Sequence, residues 1–471
     1  MAGSGISYNP LYLQVKEVIL KRLADGVYTP GKLIPSEQRL AADFGTSVST
    51  IRQALSILVS EGYLVKKQGK GTFVSEKKVK VSFLGWIGES RQGMEIMREL
   101  IGAFEEKYPL ISIEYIPTTY PHTRQDLLRL ITNGTAPDVA QIVSHWTSYF
   151  ASMGAFEPLG DLVSRENIES RIFEKDILGG IYQNRIYSLS WGLCPVSLIA
   201  NKNVLGEAGI EKINSRMTIS EFFEVCRSVN AFYGEAQLYC YGLPISGDET
   251  DFLRIYTFLQ AFHGGFVNDR EEVIFNSREN ELGFKWLRDF VNSVRVFVSD
   301  IYRIRAQFAK NEIAFISDGP WIKYILEELT GEDFNKNFVV LLNPVNAAEK
   351  SYSWNYNHAL AICSQSKNKM YAAKFIDAIT NDPDISNFYY TRAGHIAVSR
   401  EYVAHPAYSS APFSAFKEQL ENAVVINAQN AMFEKAMVLC IDAVKKILFE
   451  GAEIKKELDE KQYYLKMLYY G

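Results

Sequence analysis

GKLIPSEQRLAADFGTSVSTIRQALSILVSEGYLVKKQGKGTFV, residues 31–74, is the stretch that decides how the first part of this chain folds. Pro35-Ser36 opens a short helix with Ser36 as its N-cap, because a serine oxygen can accept the unpaired N–H groups of a first turn. Leu40 and Ala41 turn inward, and Phe44-Gly45 breaks the helix. A further helix begins after Ser47. Ile51, Ala54, Leu55 and Leu58 recur at helical spacing as its buried stripe, which leaves Ser49, Arg52 and Gln53 facing outward. Gly62 stops it. The β-prone runs Tyr63–Lys67 and Thr72–Val74 flank the tight turn Gln68-Gly69-Lys70-Gly71. Upstream, Leu11, Val15, Val18, Ile19 and Leu23 share one face of another helix, ended by Gly26 and Pro30. Three helices and a basic hairpin predict a winged helix-turn-helix, with its third helix as major-groove reader and the hairpin as wing.

Charge separates this head from the rest. Residues 1–80 hold 12 Lys and Arg against 6 Asp and Glu, a net +6, whereas residues 81–471 hold 38 against 49, a net −11. The overall −5 describes neither part. A basic module on an acidic body is the asymmetry expected when one part meets a polyanion and the other does not. With 471 residues, 47% of them hydrophobic, the chain is too apolar for a disordered one and long enough for two to four domains at roughly 100–200 residues each.

Residues 10–74 resemble the DNA-binding module of the GntR family of bacterial transcription regulators. The elements PSE, FG-x-S, T-[IV]-R-x-A-L, L-x-x-EG and G-x-GTFV occur here in that order. The resemblance implies operator contacts from Gln38 at the start of the second helix, from Ser49, Thr50 and Arg52 on the third, and from Lys67, Gln68, Gly69 and Lys70 on the wing. It also implies a homodimer reading two half-sites. Gln38 and Val48 stand where the family commonly has arginine. Arg–guanine pairs are the commonest specific base contacts, so the departures imply an altered or weakened operator preference.

Beyond the polar linker Ser75–Lys80, strand-like and helix-like runs alternate. KVSFLGWI precedes a helix over Met94–Glu106, ISIEYIP precedes one over Thr123–Thr132, and PDVAQIV precedes another, a pattern that predicts an α/β domain. No GxGxxG, GxxxxGK[ST], HExxH or GxSxG motif occurs, so no cofactor and no catalytic residue is expected. The six histidines look too widely spread for a metal cluster. The five cysteines (Cys194, Cys226, Cys240, Cys363, Cys440) form no CxxC pair and read as reduced, buried thiols of a cytoplasmic protein. No apolar stretch approaches a membrane span. The run Gly247-Asp248-Glu249-Thr250-Asp251 lacks the spacing of a calcium loop and reads as a solvated helix start.

Four further segments resemble the extracellular solute-binding proteins of carbohydrate ABC transporters, the maltose-binding-protein-like family: TAPDVAQIVSHWTSYFASMGAFEPLGDL (135–162), IYSLSWGLCPVSLIANKNVLGEAGI (186–210), FAKNEIAFISDGPWIKYIL (308–326) and NHALAICSQSKNKMYAAKFIDAITND (357–382). They follow family order, whereas the shorter sensor of LacI-type regulators fits worse. The expected architecture is therefore α/β and multidomain. It comprises a winged helix-turn-helix over 1–75, a linker over 76–80, and a two-lobed, periplasmic-binding-protein-like (type II) α/β sensor over 81–471. Lobe 1 would span about 81–190 and 361–395, and lobe 2 about 196–352 and 400–471. Ala200 replaces the usual tyrosine before NK, and the second crossover reads SYSWNYNHAL rather than glycine-rich, so the ligand need not be a typical one.

A sugar offers an apolar C–H face and a hydroxyl edge, which call for aromatic plates and planar polar groups. The resemblance puts Trp86, Trp146, Trp191, Trp321 and Trp354 at loops of an interlobe cleft, with Glu89, Ser90, Arg91, His145, Asp318, Asn355 and Asn357 as polar partners. Trp286, inside LGFKWLRDFV, reads as core. The function so implied is a ligand-responsive regulator of operator DNA that senses a sugar or oligosaccharide. Amino-acid, peptide or polyamine sensing, a regulator with degenerate DNA binding, and a carbohydrate-active enzyme are the alternatives.

Overall fold

Serines set both short helices of the head. Ser36 Oγ accepts the backbone N–H of Arg39 at 3.3 Å, and Ser47 Oγ accepts that of Thr50 at 3.1 Å, so α2 (Glu37–Asp43) and α3 (Val48–Ser60) begin where their caps place them. A computed structural model describes residues 10–171, 177–234, 238–247, 249–268, 272–346, 350–355, 357–421, 423–424 and 430–470. In α1 (Leu11–Ala24) the buried face is Val15, Ile19 and Leu23, while Leu11 and Val18 of the expected stripe are exposed. The α3 stripe of Ile51, Ala54, Leu55 and Leu58 is buried as expected, and Arg52 and Gln53 face solvent. β1 (Leu64–Lys67) and β2 (Gly71–Val74) pair antiparallel to complete the wing. Gly71 has φ +104°, and a Cβ there would meet Leu33 Cδ1 at 2.7 Å, so this turn requires glycine.

The chain divides into two compact units. The first holds Met1–Gln141, Glu157–Asn167 and Ile362–Ser386; the second holds Ile142–Phe156, Ile168–Ala361 and Asn387–Gly471. In the first unit, β3 (Val79–Gly85) begins inside the expected linker and lies parallel to both β4 (Ile111–Pro117) and β5 (Val139–Val143). Parallel strands require crossovers, supplied here by α4 (Arg91–Lys107) and α5 (Tyr120–Thr132). Each runs about one turn longer at its N-terminus than its apolar pattern predicts. Helix Lys369–Asn381 also packs in this unit, and Phe375 meets Phe83 and Phe104 at ring separations of 5.3 and 5.0 Å.

The same helix seats the head. Tyr371 stacks on Tyr63 at 5.6 Å with the rings 18° apart, and Lys374 Nζ donates to Asp25 Oδ1 at 2.9 Å. Burial alone would lower the Lys374 pKa, but the hydrogen bond to Asp25 carries it above the ordinary lysine value.

The second unit contains a five-stranded mixed sheet in the order Val296–Ser299, Tyr239–Pro244, Ile313–Asp318, Ser197–Asn201, Phe338–Leu341. The first three strands are parallel, and Ser197–Asn201 runs antiparallel to both its neighbours. Two further strands of this unit, Ser188–Gly192 and His358–Ile362, pair antiparallel, with a register shift between His358 and Ala359. Trp286 stacks on Phe290 at 5.1 Å and on Phe258 at 5.5 Å, within the aromatic core expected of it.

One expectation needs correction here. Asp251 is buried rather than solvated. Its Oδ2 accepts the N–H groups of Ser246 (2.6 Å) and Gly247 (3.0 Å) at the start of helix Glu249–Gln260. Two backbone donors that the turn would otherwise strand replace its water shell. Asp248 of the same run lies outside the described residues. Among the described residues no helix is long and apolar enough to cross a membrane.

Candidate functional site

The candidate residues fall in three groups, two in the first unit and one in the second. On the head, Gln38, Ser49, Arg52, Lys67, Gln68, Gly69 and Lys70 are exposed and Thr50 is half-buried. The hydroxyls at the start of α3 form a local network: Ser47 Oγ lies 2.7 Å from Ser49 Oγ and 2.8 Å from Thr50 Oγ1. Arg52 is parked on the preceding helix. Its Nε and Nη2 both lie within 3.0 Å of Glu37 Oε2, and Lys66 Nζ donates to Glu37 Oε1 at 3.4 Å. The hydrogen bond from Arg52 holds the Glu37 pKa below the usual carboxylate range. An exposed pair of this kind is worth only about 0–1 kcal/mol, so a phosphate or a guanine edge can draw the guanidinium away.

In the first unit, the expected ligand residues cluster at the end of β3. Trp86 is buried, donates its backbone N–H to Gln141 Oε1 at 3.0 Å, and meets Tyr120 edge to face at 5.5 Å. Glu89 Oε2 accepts the Tyr120 N–H at 3.0 Å. Ser90 Oγ caps α4 by accepting the Gly93 N–H, and Arg91 is exposed beside Glu95.

In the second unit, the other tryptophans each meet an aromatic partner. Trp191 is fully buried and lies face to face on Tyr389 at 4.2 Å with the planes 4° apart. Trp354 stacks on Phe433 at 5.8 Å, and its indole Nε1–H is buried without an acceptor among the described residues. His145 and Trp146 are buried neighbours, and His145 also meets Phe433. Trp321 is half-buried, and its indole lies 12° from parallel to His358 at 5.6 Å. Asn355 Oδ1 accepts the Cys194 N–H at 3.1 Å, and the Asn357 carbonyl accepts the Ser144 N–H at 2.9 Å.

Asp318 ties Trp321 to two buried arginines. It is fully buried, and its Oδ2 accepts from Arg305 Nε at 2.7 Å. Its Oδ1 accepts from Arg305 Nη2 (2.9 Å), the Gly319 N–H (2.9 Å), Trp321 Nε1 (3.0 Å) and Arg254 Nη2 (3.4 Å). Burial would raise its pKa, but the two guanidiniums and the hydrogen bonds hold it below the ordinary aspartate value. The Trp321 ring folds back over Gly319, where a Cβ would stand 2.4–2.7 Å from three indole carbons. Arg254 and Arg305 were missed in the sequence. An arginine within the apolar helix run DFLRIYTFLQ was the signal that could have flagged the first.

The histidines also require a correction. His358 and His395 converge with Cys194, one possible ligand atom from each lying within 4.8 Å of the others, although the sequence scatters them. His395 Nδ1 lies 2.8 Å from Tyr389 Oη. Burial lowers the His395 pKa to about 3, and burial and then the neighbouring imidazole hold His358 well below its usual value, so both rings are neutral at neutral pH. All five cysteines are buried and none forms a disulfide among the described residues.

Residues 99–415 match the family described as bacterial extracellular solute-binding protein, and residues 11–74 match the bacterial regulatory proteins of the gntR family. Over 178 residues the chain is 32% identical to an uncharacterized HTH-type transcriptional regulator, YurK, of Bacillus subtilis, covering 36% of this chain and 70% of that protein. Other regulators match over the head alone, where the chain spans about a third of their length. Two solved structures are similar over most of the chain. One is an ABC transporter solute-binding protein of Thermotoga lettingae bound with α-D-tagatose, at 22% identity and TM-score 0.74, covering 83% of this chain and 99% of that one. The other is the GacH receptor of Streptomyces glaucescens, solved unliganded and with acarbose, at 16% identity and TM-score 0.73, covering 84% and 99%. At these identities the likeness is one of fold, the two-lobed α/β architecture of sugar-binding proteins, which in this chain follows the gntR-type winged-helix head. Regulators and binding proteins, not enzymes, make up these relatives.

Proposed function

Because the chain belongs to the bacterial extracellular solute-binding proteins and carries a GntR-type DNA-binding head, we propose that it is a ligand-responsive transcription regulator. In this reading a homodimer binds operator DNA, and the solute-binding domain captures a sugar or oligosaccharide that changes operator affinity. Gln38, Ser49, Thr50, Arg52 and the wing residues Lys67–Lys70 meet the DNA. Trp321 is the principal ligand plate, with Trp86, Trp146, Trp191 and Trp354 as further aromatic surface. Glu89, Ser90, Arg91, His145, Asn355 and Asn357 supply polar contacts, and Asp318 acts by positioning Trp321.

The observation that carries the sugar reading is the state of two indoles, Trp321 and Trp354. The first is a half-exposed indole fixed by a buried carboxylate. The second presents a buried N–H that finds no acceptor among the described residues. Buried indole N–H groups ordinarily have partners, and a ligand hydroxyl supplies one. The tagatose and acarbose complexes of similar folds add support. The test is a thermal-shift panel of mono- and oligosaccharides against amino acids, peptides and polyamines, followed by operator titration at fixed salt. A sugar that both stabilises the chain and changes operator affinity is the expected result. A response confined to the amino acids, peptides or polyamines would replace the ligand assignment, and unchanged operator affinity would sink the sensor.

Gly319→Ala is expected to push the Trp321 ring aside and weaken binding of the identified sugar by about 10-fold or more, while far-UV circular dichroism stays unchanged. Calorimetric titration reads this directly.

Communication is proposed to run through helix Lys369–Asn381, which follows strand His358–Ile362 in the chain and seats the head through Tyr371 and Lys374. Lys374→Ala with Tyr371→Ala is expected to leave both ligand and DNA binding in place. The coupling between them, about 1–3 kcal/mol in such regulators, should fall toward zero. Operator titrations with and without ligand measure it.

A further inference from the structure

From Cys194, His358 and His395 we infer a binding site for one soft monovalent cation, copper(I), a property beyond the sugar reading and independent of it. The donor atoms already stand within 4.8 Å of one another. Around a d10 cation with bonds of roughly 2.0–2.3 Å, the ligand atoms would be about 3.3–3.8 Å apart, so closing on the ion takes about 1 Å of side-chain movement and no refolding.

The backbone of residues 192–194 anchors all three ligands. Gly192 pairs with His358 across the antiparallel strands. Leu193 and Ile396 exchange two backbone hydrogen bonds, of 2.9 and 3.1 Å, beside Cys194 and His395. A Cβ on Gly192 would come within 2.7 Å of His395 Cβ, so the glycine lets the imidazole sit against the strand. Histidine ligands to metals characteristically bond an outer partner through the second ring nitrogen, and Tyr389 Oη is placed for this at 2.8 Å from His395 Nδ1. In the coordinating tautomer, Nδ1–H donates to that phenol and Nε2 keeps its lone pair for the ion. The phenol is itself held by the face-to-face Trp191.

Ligand softness and charge choose the cation. Thiolate and imidazole favour copper(I) and zinc(II) over hard ions. One thiolate with two neutral imidazoles cancels a single positive charge, whereas a divalent ion would leave a net charge of +1 in a site whose three residues are buried. The nearby Asp318, Arg254 and Arg305 already carry a net +1, bridged to His358 through Trp321. Binding converts the Cys194 thiol to thiolate and releases one proton.

The test is anaerobic titration of the full chain with copper(I) held by a chromogenic chelator, with silver(I) and zinc(II) as parallel arms and neither sugar nor DNA present. The expected result is one copper(I) per chain by native mass spectrometry, with a near-ultraviolet thiolate-to-metal band. Cys194→Ser should abolish the band. Tyr389→Phe, which removes only the outer partner, should weaken binding by about 10–100-fold. Cys440→Ser, at another buried thiol, should leave it unchanged. If a ligand variant fails to fold, X-ray absorption of the wild-type complex decides by showing one sulfur and two imidazole nitrogens. Absence of a 1:1 complex, a band that survives Cys194→Ser, two sulfurs on the metal, or tighter binding of zinc(II) than copper(I) would each overturn the assignment.

Discussion

Arg52→Glu is expected to lower affinity for operator DNA by about 100-fold or more. Losing a bidentate base contact removes roughly 1–3 kcal/mol of discrimination, and the reversed charge adds repulsion from the phosphates. The free protein shows why the effect should appear in binding rather than folding. Arg52 is exposed and, among the described residues, pairs with Glu37 of the same head, which it shares with Lys66. Exposed pairs contribute about 0–1 kcal/mol, so the variant should keep its circular dichroism and its thermal response to ligand. The measurement is a titration at fixed salt against DNA fragments selected by the wild-type protein. Affinity within about twofold of wild type would remove α3 as the reading helix.

Asp318→Asn is expected to destabilise the second unit by about 3–5 kcal/mol, the usual loss when one partner of a buried ion pair is removed. Two guanidiniums depend on this one carboxylate, and all three residues are buried. An asparagine would still accept the Trp321 indole N–H through its amide oxygen, but it would remove the buried charge that faces both Arg254 and Arg305. Urea denaturation followed by tryptophan fluorescence measures the difference.

The effect has a defined pH dependence. The folded-state pKa of Asp318 lies below its ordinary value near 3.8, so the carboxylate contributes its stability fully above that pH and loses it as pH falls through the folded value. The gap between wild type and variant should therefore be constant near neutrality and close only below about pH 4. A gap already closing near pH 6 would mean that Asp318 is not held as a carboxylate by the arginines.

Much of the head was legible because its signals are local. A serine caps the next turn, apolar residues three and four apart share a face, and glycine marks positive φ, so α2, α3 and the wing could be placed within about two residues. The miss in α1 has the same origin. Leu11 and Val18 fit the apolar period, but whether a face at the end of a small domain is covered depends on what packs there, which periodicity does not encode. In the body, the order of strands and helices could be read from alternation. The pairing of Ser197–Asn201 with Ile313–Asp318 and Phe338–Leu341 could not, because sheet neighbours are chosen by crossover topology rather than by adjacent sequence.

The same division holds for the functional residues. By itself, the sequence determined a basic head of gntR type, with its helices and wing, and a body of solute-binding type, because each is written in short-range pattern and composition. Only the tertiary structure decided what the polar residues of the body do. Arg254 reaches Asp318 across 64 positions, Asn355 reaches Cys194 across 161, and Cys194, His358 and His395 share a buried corner. A charge or a thiol acquires its role from what burial places beside it. Burial joins residues through the fold, so no local period in the chain announces it.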